Sequence, residues 1–524
     1  MDQNHLNRLL SKATHSGEND QAQAQTQSDL PLRYPNYVIE LSAHRRIETI
    51  VYVAFITYII YTSTPQSSES HLPFAGYKPS SRKILARGAE NSKETGLTKA
   101  LLPVANKPLI EYVLEWCDKA PFKNVTIVSD LKSLTPITKV VDQYKSRRDP
   151  ELIRTTIMEC VPAEGYTTGD MFKSLAGKIN SDFVILPCDF VTDVPPQVLI
   201  EVFRSQSDVN LGLSIHYKNN FENVDKKVLK NNYTVYATQE DGDNCLLDLY
   251  TKQSIALSKA LKIRTQLMWR YPRTSISTKL MDSFIFFGKE KCIQIINDPH
   301  ENISTNKSIS KVKRNLSRRS WKHSEPKDKI GMFILPQQAT FARCNNLSVY
   351  MEVNRSFLKE KAKNAGNVLV SKEKGAATIG ADSIVGEETI LGERTSVKRC
   401  VVGNKCKIGK KCRLTGCIIM DGVEIEDEVT LENCIVGLKA QIGSKCKLIN
   451  CNVEGQYEIG HGVSIKGETL TNTALGLEDD NASMYSDLYS DYSNEGADDD
   501  SGVDEYDDEN FEEYESEDDL FERT

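Results

Sequence analysis

The sequence predicts an α/β domain with a mostly parallel sheet, then a parallel β-helix of triangular section, then an acidic tail. Three observations carry this. Short apolar runs alternate with helix-spaced segments from Lys99 onward. Aliphatic residues recur every seventeen positions between Ile379 and Leu470. Residues 478–524 hold 21 acidic residues and one basic, against 64 basic and 52 acidic in the rest of the 524-residue chain. The net charge of −8 therefore hides a mildly basic body, and it argues against a generally basic nucleic-acid binder.

Residues 1–70 read as an extension of uncertain origin, expected to be poorly ordered. They open Met-Asp-Gln-Asn-His, without the basic segment and apolar run of a secretory signal. The run Ile50–Tyr61 is uncharged for twelve residues, short of the roughly twenty that cross a membrane. It reads as a buried strand or part of the extension. Thirteen cysteines, an odd number with no Cys-x-x-Cys pair, fit reduced thiols in the cytosol.

The α/β domain is assigned to 71–350. Leu109, Ile110, Val113, Leu114 and Cys117 recur at helical spacing, with Asn106 as candidate cap and Pro108 in the first turn, which predicts a helix over 108–118. Asn124–Ser129 and Asp182–Pro187 are short apolar runs of the kind that form central strands. Asp193, ahead of Pro195-Pro196 and the set Val198, Leu199, Val202 and Phe203, marks another capped helix. Seven cations between Lys307 and Lys322 predict a solvated loop near 300–330, with a phosphate or partner site as the second reading. The runs Ile330–Leu335 and Leu347–Met351 close the domain.

After a linker at 351–375, the β-helix occupies 376–470. Val385, Val402, Ile419, Val436 and Val453 form one column of period seventeen; Leu391, Ile408, Ile425, Ile442 and Ile459 form a second; Val397, Leu414, Leu431, Leu448 and Ile465 form a third. Steps of six, six and five give each coil three short sides. Cys400, Cys417, Cys434 and Cys451 share the period, and a regular column of small thiols reads as packing rather than as metal ligands. Glycines such as Gly386, Gly403 and Gly409 follow aliphatic positions, where a corner gains from their conformational freedom. The segment 471–524 is too charged to condense into a core; it reads as a disordered solubilising tail or a docking segment for a basic partner.

This layout resembles the sugar-nucleotide pyrophosphorylases. Their phosphate lysine lies in a segment similar to Thr98-Lys99-Ala-Leu-Leu-Pro-Val-Ala-Asn-Lys-Pro-Leu-Ile110, so Lys99 is its counterpart. Their metal carboxylate ends a central strand, where Phe183-Val-Ile-Leu-Pro-Cys-Asp189 places Asp189. Their glycine-rich phosphate loop is what fails to match. Upstream of Lys99 stands only Phe74-Ala-Gly76-Tyr-Lys-Pro-Ser-Ser-Arg82, which lacks the second glycine and neighbouring arginine, and Pro79 obstructs a cradle of backbone N–H groups.

A more specific resemblance covers most of the chain beyond residue 97. Leu101–Cys117, Asp182–Leu199, Asn315-Leu-Ser-Arg-Arg-Ser-Trp-Lys-His323 and Gly331–Pro336 are similar to the gamma subunits of eukaryotic translation initiation factor 2B in their fungal form. The resemblance implies a Rossmann-like, nucleotidyltransferase-type domain followed by a left-handed β-helix of hexapeptide-type repeats. It implies a non-catalytic, regulatory subunit of a guanine-nucleotide exchange factor, without cofactor or metal. The epsilon subunit would be the direct partner, the alpha, beta and delta subunits the others, and the GTPase initiation factor 2 the substrate. No nucleic acid or membrane is implied, and the place of work would be the cytosol. Gly76, Lys99 and Asp189 would then be remnants of a nucleotide pocket, and Arg318, Arg319 and Trp321 candidate partner contacts. The alternative is a sugar-1-phosphate nucleotidyltransferase similar to mannose-1-phosphate guanylyltransferases, with an irregular phosphate loop.

Overall fold

In the computed structural model, the structure describes residues 47–52 and, with interior gaps of which the longest are 299–308 and 365–376, residues 97–470. Gly76 and the segment 471–524 lie outside the described residues. The chain clusters into two units. The small one includes 250–262, and within it the Ile255 N–H donates to the Thr251 carbonyl at 3.2 Å. The large one holds the α/β part and the β-helix.

A ten-stranded sheet forms its α/β part. The strands are β1 (Ile47–Tyr52), β2 (Asn124–Ser129), β3 (Ile157–Pro162), β4 (Asp182–Pro187), β6 (Asn210–Tyr217), β7 (Tyr233–Thr238), β8 (Asn244–Tyr250), β9 (Thr274–Ser277), β10 (Met281–Gly288) and β11 (Lys329–Ile334). A separate pair joins β5 (Phe190–Thr192) to β12 (Phe341–Arg343). The sheet order is β9-β7-β8-β11-β6-β10-β4-β1-β2-β3. Strands β4, β1, β2 and β3 run parallel, whereas β10 is antiparallel to both β4 and β6. The sheet is therefore mixed, with one parallel half, rather than mostly parallel.

Strand β1 changes the expected N-terminal boundary. It lies between β4 and β2, with Val51 opposite Leu186 on one side and Ile127 on the other. Residues 47–52 thus belong to the middle of the sheet and not to an extension ending at 70. An Ile-Glu-Thr-Ile-Val-Tyr segment is rich in β-branched types, and two parallel neighbours pair its backbone on both edges.

The two expected helices form as α1 (Leu109–Asp118) and α4 (Pro196–Arg204); α2 (Leu131–Arg147) and α3 (Thr168–Leu175), between them, were not anticipated. Neither expected cap is used. Asn106 sits in a turn at φ 64° and donates to the Val402 carbonyl at 2.7 Å, while Asp193 accepts the Thr340 N–H at 2.8 Å. Helices α5 (Thr265–Arg270) and α6 (Glu290–Asn297) flank β9 and β10. No helix among the described residues is long and apolar enough to cross a membrane.

Two further expectations need correction. The basic stretch near 300–330 is a helix, α7 (Ile309–Lys322), and not a solvated loop. Val312 and Leu316 pack into the core at a helical interval, and Ser317 and Ser320 are buried beside them, so small residues let the helix approach the sheet. The linker at 351–375 is helical through its first half, as α8 (Leu347–Asn364), because Val349, Tyr350, Val353 and Leu358 are buried.

The β-helix has three parallel sheets of six, six and five strands, each pairing with a strand seventeen residues on: Val402 with Ile419, Ile408 with Ile425, Val397 with Leu414. All three aliphatic columns point inward, and the cysteine column stacks beside them, with the Cys417 N–H donating to Cys400 Sγ at 3.3 Å. The corners are not where the glycines were expected to act. Left-handed backbone recurs in three columns of its own: 388, 405, 422, 439 and 456; 394, 411, 428, 445 and 462; 399, 416, 433, 450 and 467. Most of these positions are charged or Asn. Gly403 and Gly409 instead lie where coils touch. A Cβ on Gly409 would stand 2.5 Å from Asp427 Oδ1 and 2.6 Å from the Glu426 carbonyl carbon. Lack of space between coils, not conformational freedom, explains them.

The β-helix is bolted to the α/β part. Leu102, Val104, Leu109, Tyr350 and Val353 share one apolar cluster with Ile418, Met420 and Ile435. Around it, Arg355 Nη2 donates to Asn433 Oδ1 at 3.1 Å and Lys361 Nζ to the Ser383 carbonyl at 3.0 Å.

Candidate functional site

The site grows from the segment that carries Lys99. A single turn, Lys99–Leu101, leads into a hairpin pairing Pro103–Val104 with Lys107–Pro108, closed by Ala105 and Asn106 at φ 49° and 64°. Two consecutive positive φ angles match the right-handed twist of a tight hairpin. This hairpin touches the β-helix through Asn106 and α8 through the Ala105 N–H, which Asn354 Oδ1 accepts at 2.9 Å. Lys99 is thereby held against the end of β4.

Asp189 lies in the turn between β4 and β5 and is fully buried. Strand β12 pairs antiparallel with β5, with Arg343 opposite Phe190, and that register delivers Arg343 to the carboxylate. Arg343 donates from Nε to Oδ1 at 3.0 Å, and from Nη2 to Oδ1 at 2.9 Å and Oδ2 at 3.2 Å. Lys99 Nζ donates to Oδ2 at 2.5 Å and also to Asn345 Oδ1. Lys99 is 6% exposed and Arg343 3%. Burial works to raise the Asp189 pKa, but Arg343 and then Lys99 outweigh it and hold the carboxyl below its usual range. Burial lowers the Lys99 pKa, and Asp189 opposes that only in part.

A second buried cluster stands across Phe284. Lys313 of α7 pairs with Asp282 and donates to Ser214 Oγ at 3.1 Å. His216 lies beside them, fully buried, with no partner for Nε2 among the described residues. Burial pushes its pKa down to about 4, against the pull of Asp282. Phe284, at a left-handed φ of 61° where β10 loses register, puts its ring 4.2 Å from the Arg343 guanidinium carbon and 6.0 Å from Lys313 Nζ. The ring thus separates the two ionic clusters and occupies the space between them.

The structure brings Lys99 and Asp189 together, and Gly76 lies outside the described residues. Arg343, Asn345, Phe284 and Lys313 were not anticipated from the sequence as part of this site. The arrangement does not fit a divalent cation. Both Asp189 oxygens are already taken by two cations, no second carboxylate joins them, and no group of three metal-ligating side chains occurs among the described residues. Trp321 is buried and donates to the Leu247 carbonyl at 2.9 Å, Arg319 is 7% exposed, and Arg318 pairs with the buried Asp248 at 3.1 Å. Helix α7 thus turns all three candidate partner contacts toward its own domain, and a buried indole offers a partner no surface.

The family described as the eIF2B subunit epsilon LbH (left-handed β-helix) domain matches residues 366–469. The translation initiation factor eIF2B subunit gamma of Schizosaccharomyces pombe is 28% identical over 323 residues, 55% of this chain and 66% of that protein. The protein of the same name from Caenorhabditis elegans is 26% identical over 271 residues, 50% of this chain and 63% of that protein. The matched part spans just under two thirds of each relative. A solved structure of UDP-glucose pyrophosphorylase with UDP-glucose is a distant likeness, at 14% identity and a TM-score of 0.38, covering 60% of this chain and 99% of that one. The chain is thus similar in sequence to eIF2B gamma subunits over half its length or more, and its β-helix is of the left-handed eIF2B type.

Proposed function

We propose that the chain is a gamma-type subunit of an eIF2B complex, the exchange factor that converts GDP-bound initiation factor 2 to its GTP form. In this reading it supports exchange by assembly and substrate binding and has no bond-making residue of its own. The observation that carries it is the closed cluster of Lys99, Asp189 and Arg343: the carboxylate at the end of β4 is held from within by two cations. The names of the relatives support membership of the complex. The β-helix supports an assembly role, since a stacked coil offers a long flat face and ends that a partner can cap. The epsilon subunit is the direct partner and performs the exchange, the alpha, beta and delta subunits complete the assembly, and the cytosol is the place of work.

The mechanism is one of coupling. Exchange is accelerated when a factor binds the nucleotide-free GTPase more tightly than its GDP-bound form, and this chain adds contacts to that difference. The test is a mild pull-down of the tagged native chain, with mass spectrometry and a GDP-release assay on the eluate. Four further subunits and faster GDP release from initiation factor 2 are expected. A gamma–epsilon pair no faster than epsilon alone would sink the coupling, and pyrophosphate-dependent turnover of a nucleotide sugar by the lone chain would favour the nucleotidyltransferase reading.

A further inference from the structure

The stretch Ile263–Leu280 carries four cations, Arg264, Arg270, Arg273 and Lys279, and no acidic residue. It folds as α5 followed by β9, the outermost strand of the ten-stranded sheet. Among the described residues β9 pairs on one side only, antiparallel to β7, with Ile276 opposite Val235, so its other backbone edge is open. Its Thr-Ser-Ile-Ser sequence has none of the charges or prolines that blunt an edge from within the strand. The same stretch displays apolar surface: Trp269 is 80% exposed, Met268 44% and Ile276 45%. Leu267 is buried, so one side of α5 is anchored while Met268 and Trp269 face out. Arg264, Arg273 and Lys279 are exposed and make no ion pair with a described residue.

We propose that this edge binds an extended acidic segment of a separate protein, with apolar side chains at alternate positions, as an added strand beside β9. The open backbone supplies main-chain hydrogen bonds, the exposed Trp269 and Ile276 take the alternate apolar side chains, and the cations select the charge. The open strand edge favours a polypeptide over a single-stranded nucleic acid, which has no use for it. The inference stands apart from the proposed function.

Trp269 is its own reporter, because the other two tryptophans, Trp116 and Trp321, are buried. The full chain is titrated with a dodecapeptide of alternating Glu and Val, in parallel with a Lys–Val dodecapeptide and an oligouridylate. The Glu–Val peptide is expected to shift the red edge of emission to the blue and reduce acrylamide quenching severalfold, with affinity falling as salt rises. The triple variant Arg264→Glu, Arg273→Glu, Lys279→Glu is expected to lose the response with unchanged circular dichroism; retention of it by that variant, folded, overturns the proposal. So does no shift at millimolar peptide, or an equal response to the Lys–Val peptide or the oligouridylate. An emission already blue without peptide also overturns it: if the blue shift grows with protein concentration the edge pairs with a second copy, and if not it is covered from within.

Discussion

Arg343 reaches across 154 residues of chain to hold Asp189 by three hydrogen bonds of 2.9 to 3.2 Å. With Lys99 on the same carboxylate, the buried cluster carries one acidic and two basic groups. Their charges do not balance, and the order of mutational damage follows from that. Asp189→Asn leaves two buried cations facing each other and should cost about 3–5 kcal/mol. Lys99→Met leaves the neutral Arg343–Asp189 pair and should cost distinctly less. Urea unfolding of the two variants checks the order; equal losses would mean that Lys99 carries as much of the cluster as Asp189.

Acid should weaken the fold in two stages. His216 is neutral in the folded chain with a pKa near 4, while the unfolded histidine titrates near 6.5. As pH falls from about 6.5 to about 4 the unfolded chain takes a proton that the fold refuses, so stability drops, by about 3 kcal/mol at most. Asp189 acts lower. Its folded pKa is depressed, so its contribution is present above the ordinary aspartate value near 4 and is lost as pH falls through the folded value. Denaturation midpoints at pH 7, 5 and 4 for the native chain and for His216→Asn test the first stage, and the variant should show the shallower fall.

Two glycines at matching places in the β-helix should respond differently to alanine. Gly409→Ala drives a Cβ into the neighbouring coil and should cost about 1–3 kcal/mol. Gly460→Ala, with no described atom within 4 Å of the added carbon, should be nearly neutral. Thermal unfolding of both variants decides whether coil contact sets the requirement.

The thiols provide a quick test of the packing. Twelve of the thirteen cysteines are buried, and Cys160 alone is half-exposed. Ellman's reagent should modify at most one thiol rapidly in the folded chain and thirteen after denaturation, with mass spectrometry locating the first on Cys160. Rapid reaction within the column 400, 417, 434 and 451 would contradict a closed β-helix core.

The three inward columns of the β-helix were legible in the sequence, because each inward position must repeat when like coils stack, whereas its corners were not. Strands β2 and β4 and helix α1 were legible from local pattern alone. Helix α7 was not, since seven cations between Lys307 and Lys322 outweighed the pair Val312 and Leu316 and the serines beside them. Lys99 and Asp189 were legible as separate points through resemblance, but their joining to Arg343 was not, because the β5–β12 register brings it there from far along the chain. The one local signal was an arginine set among Phe341, Ala342 and Cys344, an apolar setting where a charge needs a buried partner.

Seventeen residues complete one coil, and left-handed corners, aliphatic columns and thiols all share that count. Insertions and deletions within the β-helix are therefore quantised. Removing one whole coil returns every position to a like neighbour and shortens the axis by about 4.8 Å. A change one residue longer or shorter displaces all the columns at once. The distance from the joint at Val402 and Ile418 to the far end is thus set by a whole number of coils, a ruler that drifts only in full graduations.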